Sequence, residues 1–403
     1  MDYIIFQLTV MARIRILILI GCICSVTLQA QNKVTDSLER ILPAIDKVEE
    51  KISVLNDLTV QYLYTDLKKA RKTAVESSRL ASGLQDKESM TWAYLYEGIV
   101  LMMEGELSKA EVRFQQVIKL SEKLNHIDVK AYALNLLGNI KRDRGRFDST
   151  LYYTRSALKV MEGRNNIHFL ANVSLDQARY FITLEEPDSA LIYAQKARNL
   201  LIQIKDSTLL AEAYNLMSNS HRQLFNYAAA SEELETAFKL SAINSGTYNR
   251  SMFAKGELLF VQGDFSGALR IWKDLLGRIE HLGYKYDVAY LFHRLAEVYE
   301  EQGYLDVASR YLNSSLRISK KSGYNYLKGL VYYEMAWVAY RSKNYSLATS
   351  TIRDAEVEFI KSHQWLKQAG CLNVKGVIAM DLRKYDSSFY FHSQALKIRE
   401  RSK

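Results

Sequence analysis

The chain has 403 residues, of which 48% are hydrophobic and 25% charged, a composition that excludes an intrinsically disordered polypeptide. Its formal charge of +9 is spread along the chain without a dense basic run, which argues against nucleic acid as the partner. Two prolines in the whole chain leave room for long helices, because proline removes a backbone donor and clashes with the preceding turn.

The N-terminus reads as a targeting segment. Arg13 and Arg15 precede an apolar run at 16–26, and Thr27, Leu28, Gln29 and Ala30 lead into the polar Gln31. Basic start, short apolar core and small exit residue are the marks of a secretory signal. Residues 1–30 are therefore expected to be removed, with Met11 as an alternative start. A second reading is that Leu19-Ile20-Gly21-Cys22 resembles a bacterial lipobox, which would anchor the chain through a lipid on Cys22. The run is too short for a comfortable membrane span. Either route places the chain in the periplasm or cell envelope. After removal at Ala30, Cys371 is the only cysteine left, no intrachain disulfide can form, and a buried helical position is expected for it.

Residues 31–50 form a leader, in which Asp36 to Leu42 predict a short helix that Pro43 ends or kinks. From 51 onward the sequence repeats. A small residue recurs at Gly98, Gly138, Ala178, Ser218, Gly256, Ala296, Ala336 and Gly376, in steps of 40 save one of 38, with Leu58 in the first unit. A second column follows twelve positions later at Ala70, Ala110, Thr150, Ala190, Ala230, Ala268, Ala308, Ala348 and Ser388. A third, seven further on, runs Ser77, Val117, Ala157, Ala197, Ala237, Leu275, Ser315, Ala355 and Ala395. Small side chains in one register predict helices that approach closely at those points. Nine units start at Lys51, Thr91, Ala131, Ala171, Ala211, Asn249, Ala289, Gly329 and Ala369. Pro187 falls where proline can start a helix.

Residues 131–164 are the clearest copy. Leu134, Leu137 and Gly138 have helical spacing, Gly145 ends the helix, and Phe147 opens a second with Tyr153, Ala157 and Leu158 on one face. This stretch resembles the tetratricopeptide repeat (TPR) at Leu134, Leu137, Gly138, Gly145, Phe147 and Ala157, and departs from it at Lys141 and Thr150. The resemblance implies an all-α fold, a right-handed superhelical solenoid of nine helix-turn-helix units over 51–403. The family's closing proline is missing from every unit, so the second helix is expected to run about one turn longer. Stacking buries the apolar face that no unit can bury alone. The last unit has no polar capping helix, so self-association through the C-terminal end is a further expectation.

Catalytic signatures are missing: there is no G-x-S-x-G, phosphate loop, H-E-x-x-H or C-x-x-C in the mature chain. The seven histidines are scattered, and none is expected to be a metal ligand. No catalytic residue, metal or cofactor is therefore expected.

The family resemblance also implies a groove. First helices line the concave surface, and positions 2, 5, 9, 12 and 13 of a unit face the ligand. Carried over, Asn135, Asn139 and Arg142 of the third unit recur as Asn215, Asn219 and Arg222 of the fifth, with Arg179 between them. An asparagine amide both donates and accepts, so it can pair with a peptide backbone, and the arginines add donors for a carboxylate. A second zone holds His293 and Glu297 with the aromatics Tyr333, Trp337 and Tyr340. The second unit offers an apolar start at Trp92, Leu95, Ile99, Met102 and Met103. The expected function is a non-enzymatic scaffold of the cell envelope that binds a protein or peptide segment, acidic in preference. The alternative is the periplasmic sensor array of a signalling protein of the histidine kinase or transcription regulator type.

Overall fold

The computed structural model describes residues 28–401 except 64 and 244. Residues 1–27 of the targeting segment, Met11 and Cys22 included, lie outside the described residues. Among those described there is no strand, and no helix is long and apolar enough to cross a membrane.

A leader helix α1 (Leu28–Ile41) ends in a single 3₁₀ turn, Leu42–Ala44, which Pro43 opens, as expected of that proline. Nine helix pairs follow. They are α2 (Val48–Tyr62) with α3 (Leu67–Leu84), α4 (Lys87–Met103) with α5 (Leu107–Leu124), and α6 (Ile127–Asp143) with α7 (Phe147–Val160). Next come α8 (Ile167–Thr183) with α9 (Pro187–Ile204), α10 (Ser207–Gln223) with α11 (Tyr227–Leu240), and α12 (Gly246–Val261) with α13 (Phe265–Ile279). The last are α14 (Lys285–Glu301) with α15 (Leu305–Ser322), α16 (Asn325–Arg341) with α17 (Tyr345–Lys361), and α18 (Trp365–Asp381) with α19 (Tyr385–Arg401).

Local chemistry sets the helix ends. Asp66, Asn166, Asp206, Asn226, Ser245 and Asn344 each cap a helix by accepting a backbone N–H three residues on. Pro187 is the first residue of α9, where its missing donor costs nothing. Inside the pairs the chain turns through one left-handed residue, Gly145 (φ 70°) in the third pair and Phe225 (φ 60°) in the fifth. The residues beyond the 34-residue motif are divided between two helices. First helices begin about a turn before the motif, at Ile127 and Ile167 for example, while α3, α5, α9 and α15 are lengthened to 18 residues. The expected lengthening fails in α7 and α11, which have 14 residues. The left-handed Gly163 follows the first, and an extended Ser241 (ψ 129°) stops the second.

The small-residue columns form the core. Ala70, Ala110, Ala190, Ala230, Ala268, Ala308 and Ala348 have no solvent exposure. Hydroxyls in the columns find carbonyls: across their helix pairs Ser218 Oγ donates to that of Ala230 at 2.7 Å and Ser315 Oγ to that of Ala289 at 2.7 Å, and within its own helix Thr150 Oγ1 donates to that of Arg146 at 3.2 Å. Thr150 is thus absorbed without an orphan donor. Lys141, the other departure, buries its stem and sets its ammonium 5.8 Å from the Tyr153 ring centroid. Cys371 is buried on α18, and burial pushes its thiol up to about 12, so it packs as a small apolar group.

Contacts divide the chain into two compact units, one of residues up to 100, 109–136 and 154–271, the other of 101–108, 137–153 and 272–403. The second unit gathers distant sequence. The Phe147 ring meets Tyr326 edge-on at 5.6 Å, and a Cβ on Gly145 would lie 3.0 Å from the Ser362 Cβ. Gly105 is similarly enclosed by Ser322 and Tyr324.

Candidate segment-binding face

In the first unit, a polar ladder crosses four successive first helices. Asn135 of α6 donates its amide to Asp176 Oδ2 of α8 at 2.6 Å. One turn on, Arg179 binds Asp176 Oδ1 at 2.7 Å and reaches Glu212 Oε1 of α10 at 2.8 Å. Arg250 of α12 closes the ladder on Glu212 Oε2 at 3.2 Å. Glu212 is 3% exposed. Burial pushes its carboxyl up, but Arg250 and Arg179 together outweigh that and hold it below the usual carboxylate range.

The rest of α10 carries the same face onward. Asn215 Oδ1 accepts from Ser251 Oγ at 2.9 Å, Arg222 donates to Asn219 Oδ1 at 2.7 Å, and Arg222 lies 3.4 Å from Glu257 Oε2. Asn135 Oδ1, Asn215 Nδ2 and Arg222 Nε are buried and bond no protein atom. The position-5 asparagines are therefore bridges between repeats, 5% and 6% exposed, and not open side chains. Glu212 stands at position 2 of the fifth unit, one of the ligand-facing positions, whereas Asp176, Arg250, Ser251 and Glu257 were not singled out from the sequence. The available signal was an acid at 176, 212 or 257 roughly one repeat from an arginine.

In the second unit, the C-terminal turn of α6 repeats the arginine–asparagine pairing. Arg142 donates to Asn139 Oδ1 at 3.3 Å and binds Asp143 Oδ1 at 3.1 Å. The second zone is assembled on α14 and α16. His293 Nδ1 lies 3.6 Å from Glu297 Oε2, and Arg294 binds the same oxygen. The expectation of isolated histidines is corrected here, because Glu334, one repeat on, brings a third ligand-type side chain within 4.8 Å of His293 and Glu297. Burial, reinforced by Glu297 and Glu300, pushes the Glu334 carboxyl well up, and Arg294 and Lys367 oppose that. Trp337 meets Tyr340 edge-on at 5.7 Å, while Tyr333 is half-buried beside them on the helix. In the first unit, burial lowers the pKa of His168, which sits 3.1 Å from Tyr132 Oη and 3.8 Å from Asp206.

The last helix has a different surface. Tyr385, Phe389, Tyr390 and Leu396 of α19 are all exposed, an apolar set at the end expected to self-associate.

No curated protein matches the chain. Among solved structures it is similar to a Rap protein complexed with competence and sporulation factor, with 12% identity and a TM-score of 0.62 over 87% of this chain and 98% of that one. It is also similar to the APC/C hetero-tetramer Cut9–Hcn1, with 12% identity and a TM-score of 0.51 over 92% of this chain and 84% of that one. At these identities the likeness is one of fold, and both relatives share the helix-pair repeat seen here. A family model described as the MalT-like TPR region matches residues 44–327, well over half of the sequence. The small-residue columns, the nine helix pairs and this match agree, and the chain belongs to the MalT-like TPR region family.

Proposed function

We propose that the chain is a non-catalytic repeat scaffold that holds a protein or peptide segment along its first-helix face, working in the cell envelope. The observation that carries this is the polar ladder. The close-packed faces of the helices are lined with alanine, yet along four successive first helices the buried Asn135 and Glu212 are tied to Asp176, Arg179 and Arg250, which keep partial access to solvent. Ion pairs of this partly exposed kind add little stability, so a continuous row of them argues for recognition. Each guanidinium already holds a carboxylate, so the ladder suits a segment's main-chain amides better than an acidic segment's side chains. The Rap protein of similar fold is a complex with competence and sporulation factor, which supports ligand binding by such an array. Export rests on Arg13, Arg15 and the apolar run alone, and a mature N-terminus at Gln31 in mass spectrometry checks it.

A random heptapeptide library screened on the immobilised full chain tests the binding. The best binder should lose about threefold to tenfold in affinity with Asn219→Ala, the cost of one hydrogen bond. Glu235→Ala, on the exposed side of the second helix α11, should leave affinity unchanged. Equal losses from both, or none from Asn219→Ala, would place binding elsewhere.

A further inference from the structure

The first two helix pairs carry a separate recess. One wall is α2, where Glu49, Ile52, Asn56 and Asp57 recur at helical spacing. The other is α4, where Trp92 and Tyr96 stand one turn apart with stacked rings, centroids 6.2 Å apart and planes at 24°. Ile52 is fully enclosed and forms the floor. Asn56 is held by Ser77, whose Oγ donates to its Oδ1 at 2.6 Å, so it is a fixed part of the wall.

The electrostatics of this recess are unbalanced. Two carboxylates line it and no lysine or arginine does. The contrast with the ladder is sharp, since there every carboxylate faces a guanidinium. Asp57 is half-buried, and burial alone pushes its carboxyl up to about 6, with no neighbouring cation to draw it back. Its charge reaches across to α4: after burial, Asp57 is the next cause of the raised Tyr96 phenol. An aromatic face attracts a cation through its quadrupole, and the attraction strengthens when water is displaced. Stacked Trp92 and Tyr96 opposite Asp57 and Glu49 form the complement of a flat or compact organic cation.

We infer that this recess takes a basic side chain, the guanidinium or ammonium group of the segment that the scaffold binds. The inference deepens the segment-binding reading and fixes one position of the segment as arginine or lysine. The apolar start expected of the second unit is thereby refined, because Trp92 works with an acid supplied by the repeat before it.

The test uses the full chain and a single-residue probe, N-acetyl-arginine methylamide, followed by tryptophan fluorescence and calorimetry. Saturable binding is expected, at least tenfold tighter than for the norleucine analogue. Asp57→Asn should weaken it about tenfold and Trp92→Leu comparably, with the helical circular dichroism unchanged. Exposed Glu49→Gln, which carries no folding risk, should weaken it several-fold. Binding should also weaken as pH falls through about 6, where Asp57 takes up its proton. Glu49 on the same helix and Tyr96 on the facing one are the other titratable groups lining the recess. Equal binding of the norleucine analogue, or undiminished binding by both Asp57→Asn and Glu49→Gln, would overturn the inference. The probe does not touch the ladder, so its failure would remove this recess alone. Failure of the Asn219 test would remove the ladder alone.

Discussion

Replacing Gly98 with alanine would set a methyl group 2.6 Å from Cε1 and 2.9 Å from Cδ1 of Phe114. Phe114 is 0% exposed, so its ring has no free space to enter. Two terms then oppose each other. Alanine in mid-helix stabilises by ~1 kcal/mol relative to glycine. Overpacking a closed core costs ~1–3 kcal/mol, and the enclosure of Phe114 argues for the upper half of that range. The expected net change is a destabilisation of ~1–2 kcal/mol. Gly83→Ala in α3 is the control, because no atom lies within 4 Å of its added Cβ; it should stabilise by ~1 kcal/mol. Adding Phe114→Leu to Gly98→Ala should recover part of the loss, giving a coupling of about 1 kcal/mol or more in a double-mutant cycle. Urea unfolding gives the totals, and hydrogen exchange of the α4 and α5 amides locates them, since repeats open locally. If Gly98→Ala were as stable as Gly83→Ala, or the cycle additive, the close approach of α4 and α5 would not be what requires a small residue in this column.

Burial pushes the Glu300 carboxyl up to about 7, against the opposing pull of Arg341. The folded chain therefore keeps a proton that the unfolded chain has lost above about 4.3, so stability falls as pH rises through that window; Glu300→Gln should flatten the decline in a pH series of denaturation midpoints. Phe225 is 79% exposed at φ 60°, a left-handed angle that disfavours any side chain, so Phe225→Gly should raise stability by ~0.5–1 kcal/mol in urea. Gly145 and Gly303 both have positive φ, but only Gly145 is enclosed. Gly145→Ala should therefore cost more than Gly303→Ala by ~1 kcal/mol or more, and equal losses would mean that backbone strain is the whole effect.

The repeat was legible because helix contact imposes a size limit that recurs with the period. One further regularity was available and unread. Sixteen residues after most first-column positions stands a partner of compensating size, as in Leu58 with Ala74, Gly98 with Phe114 and Gly376 with His392, though Ala178 meets only Ala194. The structure shows the two glycine pairs in contact, with a Cβ on Gly376 falling 2.5 Å from the His392 ring. The ladder was half legible. Position within the unit identified Asn135, Arg179 and Asn215 as residues of the first-helix face. It could not say that Asp176 and Glu212 already engage two of them, because those partners come from neighbouring units in no fixed position. The third ligand-type group beside His293 escaped for the same reason, since Glu334 belongs to the next unit. Gly145 was read correctly as a helix stop, but its second constraint, Ser362, lies too far along the chain for any local pattern to reveal.

That last contact alters how the array should fold. A solenoid of nearest-neighbour contacts has low contact order, can begin folding at any repeat, and tolerates removal of its ends. In the second unit, Phe147 completes its packing only when Tyr326 is in place, and Gly145 only when Ser362 is. Loop closure over that length must precede the contacts, which slows the final step and ties the third helix pair to the eighth. During synthesis, the third repeat emerges long before its cover does. It therefore waits with an exposed aromatic side chain, and a chain truncated after the seventh helix pair would never cover it.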